Sequence, residues 1–343
     1  MRKTLILLTT CAVLLTGCGG GGKGSEQPSS TATAKSTASA GATETTEATA
    51  TESEGSANVK IKPEQIGQAL IDGKYKEIYE QLSAEFQKQI TREQLVEVIE
   101  SVHEGVKAWN PNSQLVVNGN NQYTLVSQDG KIGVVYTMDE ENRITGMRFI
   151  PLESFPESDN SLTKLAYGVP FTGEWYVFWG GRDVLSNYHY EFEMQRYAYD
   201  IIQVKEGSSY KGDASKNESY YAFGQPVLAP REGTIVRVVN DIKDNVPVGV
   251  MNEEAPAGNV VVIDHGNGEF SFLAHLQEGS AKVAVGDKVA KGDPVGLCGN
   301  SGNSSEPHLH YQVSDNADLF AGKSIRVQWE EGLDPRQGET IVH

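Results

Sequence analysis

The stretch GNSGNSSEPHLHYQV, residues 299–313, carries two features that decide the fold around it. Its first half concentrates Gly, Asn and Ser, the residues that turns and positive-φ conformations require, and so predicts a sharp turn. Its second half places His308 and His310 on either side of Leu309. In a strand, these two imidazoles share one face about 6.6 Å apart along the chain, while the leucine turns into the core. We therefore expect a β-structure with a functional site at the mouth where turn and strand meet.

The surrounding residues, 168–343, continue this pattern. Short β-rich runs are punctuated by Gly and Pro, and helical periodicity is scarce. Such spacing is typical of an all-β sandwich or open barrel with long loops around one mouth. The predicted runs are 174–179, 197–204, 234–239, 260–264, 270–275, 295–298 and 308–313.

An earlier segment, residues 59–150, has a different periodicity. Apolar residues first recur at helical spacing, and Thr91 with Gln94 forms a capping-box pattern. Alternating runs at 114–118, 122–126, 131–137 and 143–150 follow, separated by turn signals. Helices followed by an antiparallel meander predict an α+β domain, with a linker at 151–167. The order resembles the cone-shaped domains of the nuclear transport factor two type, and we expect a spacer or docking module.

The start of the chain predicts export. Arg2 and Lys3 precede a mostly apolar run from Leu5 to Leu15, which is about half the length of a membrane span. The run ends in Leu-Thr-Gly-Cys18, which resembles the lipobox of bacterial lipoproteins. That resemblance implies a signal peptide over 1–17, lipidation of Cys18, and a body outside the cytoplasm anchored to the membrane. Residues 18–58 then predict a disordered tether, because 19–58 contain no Val, Ile, Leu, Met or aromatic residue.

Charge and cysteine content exclude two classes of protein. Lys and Arg total 29 against 46 Asp and Glu, a net charge of −17. No basic field is available to neutralise phosphates, so we expect no nucleic-acid partner. Beyond the leader the chain has a single thiol, Cys298, in an apolar run. A disulfide framework is thereby excluded, and the pattern favours a buried, unreactive cysteine.

The C-terminal segment contains the motifs Gly-Asn-Ser-Gly-Asn-Ser, Pro-His-Leu-His, Ala274-His275-Leu276, and Ala229-Pro230 followed by Gly-Thr-Ile-Val. Together these motifs resemble those of the lysostaphin-like, LytM-type zinc endopeptidases. The resemblance implies that Asp200 and His310 bind zinc, while His275 and His308 act on the attacking water and on the transition-state oxyanion. It also implies hydrolysis of peptide bonds in peptidoglycan, with peptidoglycan peptides as partners. A metal would polarise the scissile carbonyl and lower the pKa of its water, and neutral imidazoles would move protons.

One position departs from the family pattern. The family's remaining ligand is a histidine four residues before the aspartate, and here that position holds Arg196. Arginine stays protonated and has no free lone pair, so it cannot bind zinc. The even spacing in a strand predicts that Arg196 shares a face with Asp200, where an ion pair could block the site. This hypothesis makes the domain a non-catalytic binding or activating module.

Two histidines could replace the missing ligand. His189 lies eleven residues before Asp200 with a predicted turn between them, and it is the preferred candidate. His265 follows a strand at a turn, where a structural role is simpler. The leading hypothesis is therefore a membrane-anchored zinc metalloendopeptidase whose metal ligands are His189, Asp200 and His310. A cargo-binding lipoprotein that works through residues 59–150 is a third hypothesis.

Overall fold

The computed structural model describes residues 60–343. The predicted signal peptide at 1–17, the lipidation site at Cys18 and the tether at 18–58 all lie outside the described residues. Across residues 60–343, no helix combines the length and apolar character needed to cross a bilayer. Residues 61–343 cluster in one compact unit.

Helices come first in the N-terminal part, and a meander of strands follows them. The helices are α1 (Ile66–Ile71), α2 (Tyr75–Glu80), α3 (Ala84–Gln87) and α4 (Arg92–His103). The strands are β1 (Trp109–Val117), β2 (Asn120–Ser127), β3 (Ile132–Met138) and β4 (Ile144–Pro151). Within the described residues they form an antiparallel sheet in the order β1-β2-β3-β4.

Local sequence signals account for this part of the fold. The capping box is confirmed, since Thr91 accepts from the Gln94 amide and the Gln94 side chain accepts from the Thr91 amide. The apolar faces of the helices pack on one face of the sheet, where Ile66, Ile99 and Val134 are fully buried. The predicted order of helices and then sheet is therefore present.

The C-terminal part is mostly strand. It begins with the short helix α5 (Pro156–Asp159). Twelve strands follow within the described residues: β5 (Leu162–Tyr167), β6 (Glu174–Trp179), β7 (Tyr199–Ile202), β8 (Pro226–Leu228), β9 (Gly233–Val239), β10 (Asn259–Asp264), β11 (Phe270–Leu276), β12 (Lys288–Val289), β13 (Pro294–Leu297), β14 (Leu309–Ser314), β15 (Ser324–Trp329) and β16 (Thr340–Val342).

One large mixed sheet dominates this part. In the described region its path runs β12-β9-β10-β11-β14-β7-β6-β16, and β15 joins β14 to β5. Strands β8 and β13 form a separate ribbon. The ribbon residues Val227 and Val295 belong to the main core together with Val261 and Leu273 of the sheet. The opposite face of β10 is also covered, because Val260 and Val262 belong to another cluster. The predicted β-rich class is confirmed.

The predicted linker at 151–167 differs from the structure. It contains α5 and β5, and β5 pairs in parallel with β15. The carboxylate of Glu269 accepts hydrogen bonds from the backbone of Lys164 and Leu165 and from the Tyr167 hydroxyl. A partner more than a hundred residues away therefore fixes this strand, which local periodicity could not indicate.

Candidate metal centre

Strand β14 presents one face to the main core and the other to the candidate site. Leu309 and Tyr311 are fully buried in the main core, so the even-numbered residues of the strand turn the other way. His310 lies opposite Asp200 of β7 in the sheet register. The side chains meet, since Nδ1 of His310 lies 2.9 Å from Oδ1 of Asp200. Strand pairing thus joins residues 110 positions apart.

Gln312 fixes which nitrogen of His310 faces the site. The Gln312 amide nitrogen donates to the Met194 carbonyl at 2.9 Å, which turns its Oε1 toward Nε2 of His310 at 3.1 Å. An amide oxygen only accepts, so Nε2 of His310 carries the proton. In the neutral ring, Nδ1 then offers its lone pair beside the Asp200 carboxylate. Two acceptors at this separation favour a cation or a proton next to them.

His189 enters the site from the other side, on a short 3-10 helix, Tyr188–Glu191. Its Nδ1 lies 2.8 Å from Oδ1 of Asn187. The Asn187 amide nitrogen donates to the carbonyls of Arg196 and Ala198, so Oδ1 must be the acceptor and Nδ1 the donor. Nε2 of His189 is buried without a hydrogen-bond partner among the described residues and lies 3.6 Å from Oδ2 of Asp200.

These three side chains fit a metal ion. The donor atoms of His189, Asp200 and His310 lie within 4.8 Å of one another, and all three residues are buried. Burial lowers the pKa of His189 to about 3, so its ring is neutral, as a metal ligand must be. Two imidazoles and one carboxylate match the donor set of catalytic zinc sites, which leave a further position open. The unpartnered lone pair of His189 is the observation that a bound cation would explain.

Asp200 supplies the negative charge of the centre. Burial alone would raise its pKa, but the surrounding histidines together hold the pKa of Asp200 well below its ordinary value. The carboxylate is therefore ionised, and one divalent cation would reverse the sign of the charge inside a dry site.

His275 reaches the site through an unusual backbone conformation. Its neighbour Ala274 is the cross-strand partner of His310, so regular alternation would turn His275 to the opposite face. Instead His275 has φ 58°, a left-handed conformation that is rare outside glycine. Its ring centroid lies 4.7 Å from that of His308 and 5.7 Å from that of His310. The bend thus places a third imidazole beside the candidate ligands.

His275 and His308 are the histidines of the site that are not candidate ligands, and a backbone carbonyl fixes Nδ1 of each. Nδ1 of His275 donates to Ser301 O at 2.8 Å, and Nδ1 of His308 donates to Glu306 O at 2.8 Å. Burial, with His308 and His310 nearby, holds the pKa of His275 well below its ordinary value. Burial opposes the charged form of His308 as well, but the Asp200 carboxylate outweighs it and raises the pKa of His308. His275 is therefore neutral and keeps a lone pair on Nε2 that can accept a proton, whereas the Asp200 carboxylate favours the protonated form of His308, which can donate from Nε2.

The turn before β14 also holds the site together. The Ser301 hydroxyl bridges two strands, donating to Leu276 O and accepting from the Asn259 amide. A Cβ atom at Gly302 would lie 2.3 Å from the Gly258 nitrogen, and the φ of Gly302 is 81°. Glycine is required there for both reasons, which agrees with the scaffold role expected of this motif.

Arg196 does not occupy the site, which corrects the prediction that it shares a strand face with Asp200 and blocks the metal. Strand β7 begins at Tyr199, so Arg196 lies in the turn before it, where strand alternation does not apply. Its guanidinium carbon lies 3.4 Å from the centroid of the Phe155 ring, and Nε donates to Tyr190 O. Within residues 60–343, the ion pairs of Asp200 are with histidines.

The alternative ligand His265 lies elsewhere. Its two ring nitrogens are occupied by Glu232 O and Ser271 Oγ, each at 2.8 Å, and its ring packs edge-on against Tyr167. Both ring nitrogens are thus engaged outside the candidate centre. Cys298 is a buried free cysteine, as expected, and burial raises the pKa of its thiol, which disfavours the reactive thiolate.

Sequence reasoning missed Asn187 and Gln312, the side chains that orient the candidate ligands. Gln312 had a detectable signal, because it continues the alternation of His308 and His310 along one strand. Asn187 had only its position two residues before His189. Partners of this kind fix the tautomer and the ring orientation of metal-binding histidines.

Comparison with known proteins identifies part of the chain. Residues 219–321 match the model of Peptidase family M23. This span includes His275, His308 and His310, whereas His189 and Asp200 precede it. The resemblance inferred from the motifs is therefore supported at the level of this family over residues 219–321.

Individual relatives cover short segments. The peptidoglycan DD-endopeptidase ShyA of Vibrio cholerae is 45% identical over 67 residues, which are 19% of this chain and 15% of ShyA. The murein hydrolase activator EnvC of Escherichia coli is 34% identical over 87 residues, 25% of this chain and 19% of EnvC. The structure of lysostaphin from Staphylococcus simulans is 20% identical, with 45% of this chain and 47% of that chain covered and a TM-score of 0.27. The chain spans a quarter or less of the curated relatives it matches.

Proposed function

We propose that this protein is a membrane-anchored zinc metalloendopeptidase that hydrolyses peptide bonds of peptidoglycan. The observation that carries the proposal is Nε2 of His189, which is buried and has no hydrogen-bond partner in the described part of the chain, and which belongs to a set of His189, Asp200 and His310 donor atoms within 4.8 Å of one another. The M23 match over residues 219–321 supports a peptidase. The similarity to ShyA, a peptidoglycan DD-endopeptidase, supports peptidoglycan as the substrate.

In this proposal, different side chains of the protein accept and donate the protons of the reaction. Zinc, when bound, would supply Lewis acidity to the peptide carbonyl and to the attacking water. The neutral His275, whose Nδ1 donates to Ser301 O, keeps Nε2 free to accept the proton of that water. Nε2 of His308 lies 3.5 Å from Oδ1 of Asp200 and would donate to the developing oxyanion when the ring is protonated.

The surroundings of the site suit this chemistry. His189, Asp200, His275, His308 and His310 are each less than a tenth exposed. Their low exposure excludes bulk water and strengthens every electrostatic interaction inside the site.

Anchoring and location rest on the sequence around Cys18. The Leu-Thr-Gly-Cys pattern and the apolar residues before it support lipidation and export. A body tethered outside the membrane would have access to the cell wall. Globomycin, which blocks the lipoprotein signal peptidase, should leave a larger precursor in cells, and Cys18→Ser should release the body from the membrane fraction.

The central experiment measures zinc and peptide-bond cleavage in the same protein. We expect about one zinc per chain, and new peptide termini in peptidoglycan digests analysed by mass spectrometry. Asp200→Asn and His310→Ala should lose both zinc and cleavage. His265→Gln is the matched control, since His265 is also hydrogen-bonded but lies outside the centre.

The competing hypothesis is a non-catalytic binding or activating module. The similarity to EnvC, a murein hydrolase activator, supports this hypothesis. Its main argument was an ion pair between Arg196 and Asp200, and Arg196 instead contacts Phe155. Zinc-loaded protein that releases no new termini from peptidoglycan would favour this hypothesis over the peptidase.

A further inference from the structure

The second face of the N-terminal sheet is covered by residues from the C-terminal part. Helices cover one face of β3 through Val134 and Tyr136, yet Gly133 and Val135, which point the other way, are buried too. Leu185 lies on Gly133. A Cβ atom at Gly133 would stand 2.5 Å from one terminal carbon of Leu185 and 2.7 Å from the other. A side chain at this position would force Leu185 to move from its present place against the strand.

Leu185 belongs to residues 181–190, which we call the ligand loop because it carries His189. The loop is made of turns and part of the short 3-10 helix, Tyr188–Glu191, and it contains no strand. A segment with so little regular structure of its own takes its position from what packs against it. The location of the candidate ligand therefore depends on the partners of the loop.

Asp183 connects the ligand loop to strand β1. The Asn112 amide donates to the Asp183 carboxylate at 3.1 and 3.2 Å. The same carboxylate accepts from the backbone amides of Leu185 and Ser186, each at 2.9 Å, and so closes the turn. The backbone N–H of Asn187 continues that turn by donating to Asp183 O. An N-terminal residue thus contacts the turn that leads directly into His189.

A second polar contact holds the chain just before the loop. The Ser113 hydroxyl donates to Gln337 Oε1 at 2.7 Å. Gln337 in turn donates to Phe178 O through its side chain and to Gly180 O through its backbone. Two adjacent residues of β1, Asn112 and Ser113, therefore hold the first turn of the ligand loop and the chain just before the loop.

We propose that the N-terminal part clamps the ligand loop, with Asn112 and Gly133 as positioning residues for the metal ligand His189. The inference rests on the proposed function, since it takes His189 to be a ligand. It gives a role to residues 60–151 that their own side chains do not suggest. The inference also relates the arginine at position 196 to the N-terminal part. Because the proposed replacement ligand, His189, lies on a loop, its position has to be fixed by residues outside that loop.

The test places small changes on the N-terminal side of the contact. Gly133→Ala and Asn112→Ala in the full chain should each weaken zinc affinity, measured by chelator competition, on the order of tenfold. In metal-free protein, backbone amides 183–190 should exchange with deuterium faster than in the wild type. Combining Gly133→Ala with Leu185→Ala should recover much of both losses, because the added methyl group occupies the space that the leucine leaves.

The control is Gly67→Ala, which adds the same methyl group in the same domain but against Trp109 and Leu125. It should change neither zinc affinity nor exchange in the ligand loop. Wild-type affinity and exchange in Gly133→Ala and Asn112→Ala would overturn the clamp while leaving the proposed function intact. A wild-type chain that binds no zinc would overturn the proposed function, and the exchange measurement would still decide whether the loop is clamped. If Gly133→Ala does not fold, Asn112→Ala carries the test.

Discussion

Gln312 Oε1 lies 3.1 Å from Nε2 of His310, and this contact decides which nitrogen of the histidine faces Asp200. The Gln312 amide is itself held by the Met194 carbonyl, so it cannot turn over without losing a hydrogen bond. The orientation of the candidate ligand His310 is therefore fixed by a residue of the same strand, Gln312, two positions further along. The same logic applies to Asn187 and His189 on the other side of the centre.

Removing the orienting amide should weaken the metal centre without removing a ligand. We expect Gln312→Leu to lower zinc affinity about 10- to 100-fold, because the His310 ring loses its hydrogen-bond acceptor and its preferred tautomer. Chelator competition and the absorption spectrum of the cobalt-substituted protein measure the change. Gln328→Leu on the neighbouring strand β15 is the control. Wild-type affinity in Gln312→Leu would show that the amide does not orient the ligand.

A histidine at position 196 should not replace His189 as the third ligand. His189→Ala should abolish stoichiometric zinc binding, and adding Arg196→His should not restore it, because residue 196 precedes the strand and faces Phe155. Arg196→Ala alone should keep zinc. It should reduce the free energy of unfolding by about 1–2 kcal/mol through the lost cation–π and hydrogen-bond contacts. Elemental analysis and denaturant titration test both points, and zinc recovery in the double variant would contradict them.

The left-handed backbone of His275 predicts that glycine at this position gives a more stable protein than alanine, the reverse of the usual order in a strand. Glycine tolerates a left-handed backbone better than alanine does, so His275→Gly should be more stable than His275→Ala by about 1 kcal/mol. Denaturant midpoints of the two variants give the difference. At Arg237, an exposed strand residue without a positive φ, the usual order with alanine more stable should hold. Greater stability of His275→Ala would argue against the left-handed backbone.

Glu306 predicts a pH dependence of stability. Burial raises its pKa from 4.5 to about 7 in the folded chain. The folded state therefore holds the proton more tightly, and its contribution to stability is complete below pH 4.5 and is lost as pH rises through 7. At pH 8, Glu306→Gln should exceed the wild type by up to about 3 kcal/mol, and the two should agree at pH 4.

Denaturant titration of metal-free protein at both pH values checks this prediction. Exposed Glu253 provides the control, and Glu253→Gln should follow the wild type at each pH. Parallel pH profiles of Glu306→Gln and the wild type would contradict the assigned burial.

Local pattern was enough to predict most strands of the fold. Strand β6 spans the residues predicted for it, and the strand around His310 begins and ends one residue later than predicted. Alternation and turn residues act over a few positions, so sequence carries them directly. Strand β5 was missed because its partner, β15, and the carboxylate of Glu269 lie far along the chain.

The candidate site was predictable to the extent that it depends on strand periodicity. His308 and His310 follow from one strand, and the motif resemblance adds Asp200 and His275. The error concerned Arg196, because the prediction extended strand alternation into residues that form a turn. Pattern alone does not show where a strand begins, and a shift of a few residues redirects a side chain.

By itself, the sequence determined a β-rich C-terminal region, an α+β region before it, and a set of imidazoles with one carboxylate suited to a metal. Tertiary structure alone decided that His189 lies beside Asp200 and His310, that Arg196 turns away, and that His275 points inward from a bent strand. The physical reason is that local preferences fix periodicity and turns, whereas ligand position depends on packing between segments distant in the chain.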